Sequence, residues 1–522
     1  MQLTGQSIIG TRRAASSEGA FFAVNPGTGK QLEPVYYSAS DGDLDEAASQ
    51  AAAAFLPYRA LSRGRRGEFL REIAAQLESL GDPLVERVIL ETALPETRVR
   101  AEWARTANQL RFFAGIVEEG SWVDARIDSA DPGRKPPKPD VRSMLRPLGP
   151  VAVFCASNFP LAFSTAGGDV ASALAAGNPV VVNAHFSHPG TAEMCGTAIA
   201  AAAHNTGMPG GVFSLLFSQG HHIGQALVAH PLIKAVGFTG SRRGGLALAE
   251  TARSRAEPVP FYAEMSSVNP VFVLPNAAAL RGAVIAAGLH TSIISGVGQF
   301  CTNPGVALLA EGPVGNALAA ELGARIEATA AAPMLNPGIL ANYGRLVDER
   351  AHDARLRRVA QGLSGSGAVA ALFEVDAQTF LDSPALADEV FGPASLMVRY
   401  RTLDQALEVA QTMEGNLTAT IHMAEGDEDA AGKLTAALET RVGRIVFQGY
   451  PTGLEVCQAM VHGGAWPATS DGRTTSVGGR AIDRFARPVC FQDAPESLLP
   501  EELRSGNPAG IWRLRNGERA KD

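Results

Sequence analysis

Over the first 40 residues the apolar positions come in short β-like runs broken by turns, as in Phe21-Phe22-Ala23-Val24 before Asn25-Pro26-Gly27, which predicts an edge hairpin. From Asp43 to about Glu118 the period lengthens. Leu70, Ile73, Leu77 and Leu80 recur at helical spacing, and Asp43 and Ser62 are the expected helix caps. Asp131 to Asp140, rich in proline and charge, reads as an extended arm. From Leu145 onward apolar runs and helical stretches alternate, the mark of a parallel, doubly wound sheet. Strands are predicted at Val151–Phe154, 179–182, 212–216 and 233–238, with helices over 162–176, 191–204 and 222–230 between them. A second alternation starts at Pro260, so a domain boundary is expected at 258–260. It comprises apolar runs at 261–263 and 270–274, a helix over about 277–294, later strands at 382–400 and 444–447, and a closing strand-like segment at 480–491.

The fold class expected is therefore α/β, and the 522 residues give room for roughly three domains. A composition of 46% hydrophobic and 19% charged residues agrees with this class. The net charge of −8 opposes a broad nucleic-acid-binding face. Cys155, Cys195, Cys301, Cys457 and Cys490 are odd in number and widely spread, which argues against a disulfide framework or a paired-cysteine zinc site; no metal is expected. The N-terminus lacks the pattern of a signal peptide, and no uninterrupted apolar run reaches the roughly 18 residues of a membrane span. A reducing cytoplasm is the expected location, with no membrane partner.

Three stretches carry candidate chemistry. Cys301 lies in Gly298-Gln299-Phe300-Cys301-Thr302-Asn303-Pro304-Gly305, a bend that presents a nucleophile or holds a small buried thiol. Asn158 follows a predicted strand and is placed either to donate into a ligand crevice or to cap a loop. Glu264 ends another strand, where a carboxylate activates water or a thiol if one is near. The glycine-rich Gly237 to Gly245 leads from a strand into a helix, as a diphosphate site does, although its spacing departs from the G-x-G-x-x-G fingerprint.

Taken together, Ala156-Ser157-Asn158-Phe159-Pro160, Gly237-Phe238-Thr239-Gly240-Ser241, Glu264 to Pro270, Gly298 to Gly305 and Glu389-Val390-Phe391-Gly392-Pro393 resemble the aldehyde dehydrogenase superfamily in order and spacing, from about residue 20 to 495. Asn158 to Ser164 with Ala166 to Asp169, and Leu454 to Cys457 with Met460 to Gly464, resemble the 2-oxoglutarate semialdehyde (2,5-dioxopentanoate) dehydrogenases and the bacterial NADP-dependent fatty aldehyde dehydrogenases. The resemblance implies two doubly wound parallel-sheet domains and a small oligomerisation arm. The dinucleotide-binding domain would take residues 1–130 and 147–259, and the catalytic domain 260–447. The arm would take 131–146 and 480–495, with 448–479 and 496–522 as returning segments. A homodimer or dimer of dimers is implied.

The resemblance also implies roles. Cys301 attacks the aldehyde, Asn158 holds the oxyanion and Glu264 activates the hydrolytic water. Glu389 and Phe391 hold the nicotinamide end of NADP or NAD, and Gly240 and Ser241 meet the diphosphate. Phe159 and Arg105, the latter on a helix with Arg111, line the substrate entrance; an arginine there suits an acidic aldehyde or serves an interface. The implied reaction is 2-oxoglutarate semialdehyde oxidation, with medium- or long-chain aliphatic aldehydes as the alternative. A catalytically impaired binding protein or an esterase is the alternative from another class.

This chain departs from its relatives at the adenosine end. Asn183 stands where relatives carry a ribose-binding lysine, Phe186 where NADP users have a small hydroxyl residue, and His221 where an arginine is expected. Neutral side chains give no charge to a 2′-phosphate. Either NAD is used, or His185, His188, His221 and His222 supply charge when protonated, or dinucleotide binding is weak.

Overall fold

The structure is a computed structural model and describes residues 2–15 and 19–521. It contains two seven-stranded sheets, a five-stranded sheet and a two-stranded hairpin. The first sheet runs Phe261–Glu264, Ala235–Thr239, Val151–Phe154, Val180–Asn183, Phe213–Leu216, Ser7–Ile9, Arg12–Ala14. Its first five strands are parallel, and Ser7–Ile9 is antiparallel to Phe213–Leu216. Alternate residues divide between two cores, one on each face. Val151 and Val153 join Leu70, Ile73 and Leu110, whereas Ala152 and Phe154 join Leu44, Ala47 and Leu227, as the two-residue period of a strand requires. The chain winds from Val151–Phe154 to one side and later returns to the other. Strand order therefore reverses beside this strand, and the crevice beyond its carboxyl end becomes the natural ligand site.

The second sheet runs Arg357–Gln361, Ala371–Asp376, Ala394–Tyr400, Val306–Ala310, Val271–Val273, Thr418–His422, Arg444–Phe447, with only Arg357–Gln361 antiparallel. The chain crosses between the two sheets through Met265–Pro270. The boundary expected at 258–260 is thus too early, because Phe261–Glu264 still pairs with Ala235–Thr239. Prolines there punctuate the loop before an edge strand, a position proline tolerates.

The third sheet runs Ala486–Gln492, Val141–Pro147, Arg126–Asp128, Arg513–Arg515, Glu518–Ala520. Residues assigned above to the dinucleotide domain (126–128) and to a returning tail (513–520) thus belong with the arm. Short three-residue strands carry too little pattern to be read alone. The first helix starts at Asp41 with Ser40 as its cap, and Asp43 returns the bond in a capping box; Ser62 caps the second as expected. The expected strand over 382–400 shrinks to Ala394–Tyr400. The helix expected from Ala162 begins at Gly168.

One helix, with the turn after it, is long and apolar enough to cross a membrane, Pro275–Gly298 with a mean hydropathy of 1.5. The run is not uninterrupted, since Arg281 stands within it at a kink with φ −135° and ψ 20°. Its Ile285, Leu289 and Ile293 face join Val271, Val273 and Leu309 in one core, which explains its composition within this fold.

Candidate active site

Asn158, Asn183, Gly240 and Glu264 all stand at or just beyond carboxyl ends of the first sheet. Cys301 comes from the other side, in the turn leading into Val306–Ala310. That turn is tied down on three sides. Asn269, itself at φ 47°, donates its amide to the carbonyls of Cys301 and Asn303, each at 2.9 Å. The Asn303 amide bonds the carbonyls of Gly298 at 2.7 Å and Gly392 at 2.9 Å. Gly298 has φ 66°, and a Cβ there would lie 2.1 Å from the Gly392 backbone, so only glycine permits this approach. The same contact fixes Glu389 and Phe391 beside the cysteine turn; the Ser267 N–H approaches Glu389 Oε1 at 3.4 Å.

The buried His462 joins Cys301 to Glu264. Its Nε2 is 3.5 Å from Cys301 Sγ and 3.0 Å from Glu264 Oε1. Ser476 donates to Glu264 Oε2 at 2.7 Å. His462 Nδ1 is buried without a hydrogen-bond partner, which favours the tautomer with the proton on Nε2. Burial pushes the Cys301 thiol well above 9, and the Glu264 charge adds to this while Arg105 opposes it. Burial also raises the Glu264 carboxyl, but His462, Ser476 and Cys301 outweigh it and leave it below its ordinary value. Burial raises Glu389 to about 7, against the hydrogen bonds from Ser266 and Ser267.

Asn158 is buried and donates through Nδ2 to the Gln299 carbonyl at 2.9 Å, which leaves its second amide proton for another acceptor. Phe159 packs edge-on to Phe163 and Phe300 at 5.3 and 5.2 Å. These rings, with Cys301, Leu454, Val456 and Met460, wall an apolar approach. Two arginines are set into this wall. Arg98 lies over Phe159 and Phe300 at 5.0 and 4.4 Å and donates to the Asn158 carbonyl at 2.7 Å. Arg105 lies over Phe163 at 5.1 Å, and its buried Nε and Nη2 have no hydrogen-bond partner. Burial depresses its pKa, while Glu102, Cys301 and Glu264 act in the opposite sense. Arg111 instead pairs with Glu78 at 2.5 Å on the exterior.

The adenosine-end candidates form a separate group. Asn183 accepts from Ser218 Oγ at 2.8 Å. Phe186 is 43% exposed and stacks on His185 at 4.7 Å, which stacks on His188 at 5.4 Å. Burial drives His185 down to about 3, with His188 adding to the effect, and burial lowers His188 as well. These two rings are therefore neutral and cannot replace a lost lysine. His221 is exposed, and His222 Nε2 is 2.7 Å from Asp41. Ser241 caps the helix Arg242–Arg253 by accepting from the Gly244 N–H, and the first turn has no acidic residue. A Cβ on Gly240 would press on the Phe238 ring at 2.8 Å.

The structure thus gathers Cys301, Glu264, Asn158, Phe159 and Arg105 at one place and leaves Asn183, Phe186 and His221 apart. Sequence reading passed over His462 and Arg98. The signals for His462 were its place in the Met460 to Gly464 motif and the Gly463-Gly464 pair after it, which marks a close backbone approach; a Cβ on Gly463 would lie 2.5 Å from the Thr474 carbonyl.

A profile described as the aldehyde dehydrogenase family matches residues 13–466. The chain is 49% identical to alpha-ketoglutaric semialdehyde dehydrogenase 2 of Azospirillum brasilense, over 99% of this chain and 100% of that protein. It is 43% identical to alpha-ketoglutaric semialdehyde dehydrogenase of Acinetobacter baylyi, over 98% of each. Among solved structures, 3,6-anhydro-L-galactose dehydrogenase in complex with NAP superimposes with a TM-score of 0.81 at 20% identity, covering 93% of this chain and 99% of that one. Aldehyde dehydrogenase 21 of Physcomitrella patens, in complex with the reaction product succinate, gives 0.80 at 19% identity, covering 93% and 97%. With the profile spanning most of its length and two relatives above 40% identity, this chain belongs to the aldehyde dehydrogenase family and is an NAD(P)-dependent oxidoreductase acting on an aldehyde.

Proposed function

We propose that the chain oxidises 2-oxoglutarate semialdehyde to 2-oxoglutarate, with Cys301 as nucleophile and Arg105 as the receptor for the substrate carboxylate. The carrying observation is the half-buried Arg105, whose guanidinium Nε and Nη2 are buried without a hydrogen-bond partner within an apolar wall beside Cys301 and Glu264. A buried cation with free donors is costly until an anion meets it, and guanidinium matches carboxylate geometry. The two full-length relatives named as alpha-ketoglutaric semialdehyde dehydrogenases support the same substrate. The apolar wall itself favours a second reading, an aliphatic aldehyde.

In this reading the Cys301 thiol passes its proton to Glu264 as sulfur adds to the aldehyde carbon. The Nε2–H of His462 and the Arg105 charge stabilise the sulfur anion during attack, offsetting the burial that keeps it protonated at rest. The second Asn158 amide proton takes the oxyanion, and Arg98 braces that residue from its carbonyl side. The residues fit a dinucleotide: the capped helix end after Gly240 suits a diphosphate, and Glu389 and Phe391 lie beside the cysteine turn. When bound, the dinucleotide supplies the hydride acceptor that turns the thiohemiacetal into a thioester. Glu264, having released its first proton, takes another from the water that cleaves the thioester, and the thiol is restored.

NAD is the preferred cofactor in this reading, because Asn183 and Phe186 are neutral, His185 and His188 are held neutral, and Asp41 adds an anion beside His222. The five free cysteines support a reducing location such as the cytoplasm. The half-exposed edge strand Ala486–Gln492 offers pairing to a second copy. The deciding experiment compares kcat/KM for 2-oxoglutarate semialdehyde and octanal with NAD and NADP. Preference for the keto acid aldehyde by tenfold or more supports the proposal, and preference for octanal overturns it.

A further inference from the structure

We propose that Cys301, His462 and Glu264 form a binding site for a single Zn2+ ion, which occupies the catalytic centre reversibly and blocks it. The inhibitory consequence rests on the reading of Cys301 as nucleophile; the binding rests on the three donor atoms alone. Sγ, Nε2 and a carboxylate oxygen all lie within 4.8 Å of one another, with Nε2 3.5 Å from Sγ and 3.0 Å from Oε1. Around a tetrahedral zinc, bonds of about 2.0–2.3 Å place neighbouring donors roughly 3.3–3.6 Å apart. His462 Nε2 thus already stands near these spacings from both partners, and the Sγ–carboxylate separation, within 4.8 Å, has to close by roughly an ångström for the three to share one ion.

The chemistry of the set selects the metal. A thiolate and an imidazole favour zinc over magnesium or calcium. Two anionic donors match the charge of one Zn2+ in a place poor in water. Binding releases the thiol proton to solvent, moves the His462 ring proton from Nε2 to Nδ1 so that Nε2 can offer its lone pair, forms the S–Zn and N–Zn bonds and changes no oxidation state. Ser476 holds the other carboxylate oxygen at 2.7 Å, an outer partner of the kind that orients a ligating carboxylate. Three protein ligands leave a fourth position for water, as in open zinc sites.

The surroundings also argue that such an ion is a visitor. His462 Nδ1 lacks the carboxylate or carbonyl partner that resident zinc histidines possess. Arg105 adds positive charge to the same pocket. Each ligand atom is one that turnover requires, so a bound ion excludes the reaction instead of serving it. The donors lie far apart in the chain, at 264, 301 and 462, which is why spacing rules for zinc sites do not find them.

The test uses the full-length protein, stripped with EDTA and dialysed. It is titrated with ZnCl2 by calorimetry and with CoCl2 by absorption spectroscopy, while alkylation of Cys301 by iodoacetamide is followed by mass spectrometry. The expected result is one ion per chain, a thiolate-to-cobalt charge-transfer band, protection of Cys301, and full release by EDTA. Cys301→Ala and Cys301→Ser should lose the band. His462→Gln should weaken zinc binding by more than about 100-fold, beyond the upper range for loss of a merely supporting group. A cobalt spectrum without the thiolate band, or equal zinc affinity in wild type and His462→Gln, overturns the site. Loss of the metal site with aldehyde oxidation intact leaves the proposed function standing; a metal site without any aldehyde oxidation removes that function and keeps the site.

Discussion

Nε2 of His462 lies 3.0 Å from Oε1 of Glu264, and both side chains are almost fully buried, 198 positions apart in the chain. The pair confines the carboxylate beside the Cys301 sulfur to one orientation, with Ser476 holding its far oxygen. Replacing Glu264 by Gln keeps the shape and removes the base. Turnover should fall on the order of 10²–10⁴-fold; attack then proceeds only through thiolate formed by loss of the proton to solvent, and the thioester still accumulates if its hydrolysis is slowed more than its formation. Mass spectrometry of the quenched reaction should show an acylated Cys301 in Glu264→Gln; an unmodified cysteine with equally slow turnover would place Glu264 in the attack step alone.

The pH dependence of thiol reactivity follows from the environment of Cys301. Its pKa is raised, foremost by burial and then by the Glu264 charge, so the thiolate fraction is small at neutral pH and grows as pH rises past 9. Alkylation of the protein without substrate should therefore be slower at pH 7 than for a cysteine peptide, and should keep rising to the highest pH the fold survives. A plateau below pH 8 would contradict this sign. In Glu264→Gln, which removes a neighbouring negative charge, the profile should move to lower pH.

Arg105 separates acidic from neutral aldehydes. Charge-assisted hydrogen bonds contribute about 1.5–3 kcal/mol, so Arg105→Met should lower kcat/KM for 2-oxoglutarate semialdehyde by roughly 10- to 150-fold, mainly through KM. The value for octanal should stay level or rise. Equal losses on both aldehydes would show that the residue supports the wall and does not read the substrate.

At the adenosine end, a new cation should change the cofactor. Asn183→Lys loses the bond from Ser218 but places a charge where a 2′-phosphate would lie, and NADP affinity should rise about tenfold with a steeper salt dependence. Calorimetric titration at two ionic strengths checks both. No gain in NADP affinity would mean that this strand end does not face the ribose.

How much of this was legible depended on distance along the chain. Cys301, Asn158 and Glu264 each sit in a short window, at a bend or a strand end, where local turn chemistry marks them. The contacts that assemble them are long-range: His462 meets Glu264 across 198 residues, and Arg98 reaches Asn158 across 60. The alternating strands and helices were readable because buried parallel strands are continuous apolar runs. The three-residue strands of the third sheet were not, and proline punctuation at 258–260 marked a loop, not the crossing into the second sheet. The neutrality of His185 and His188 was likewise invisible, since it comes from burial.

Glu264 is the last residue of a strand in the first sheet, whereas Cys301 leads into a strand of the second. The proton path between them therefore exists only while the two sheets are docked, so activity reports on that docking and not on the integrity of either sheet. In mild urea, loss of turnover should precede loss of secondary structure. A sulfur freed from the Glu264 charge should become easier to alkylate at the same moment, giving an inactive protein with an unusually reactive cysteine.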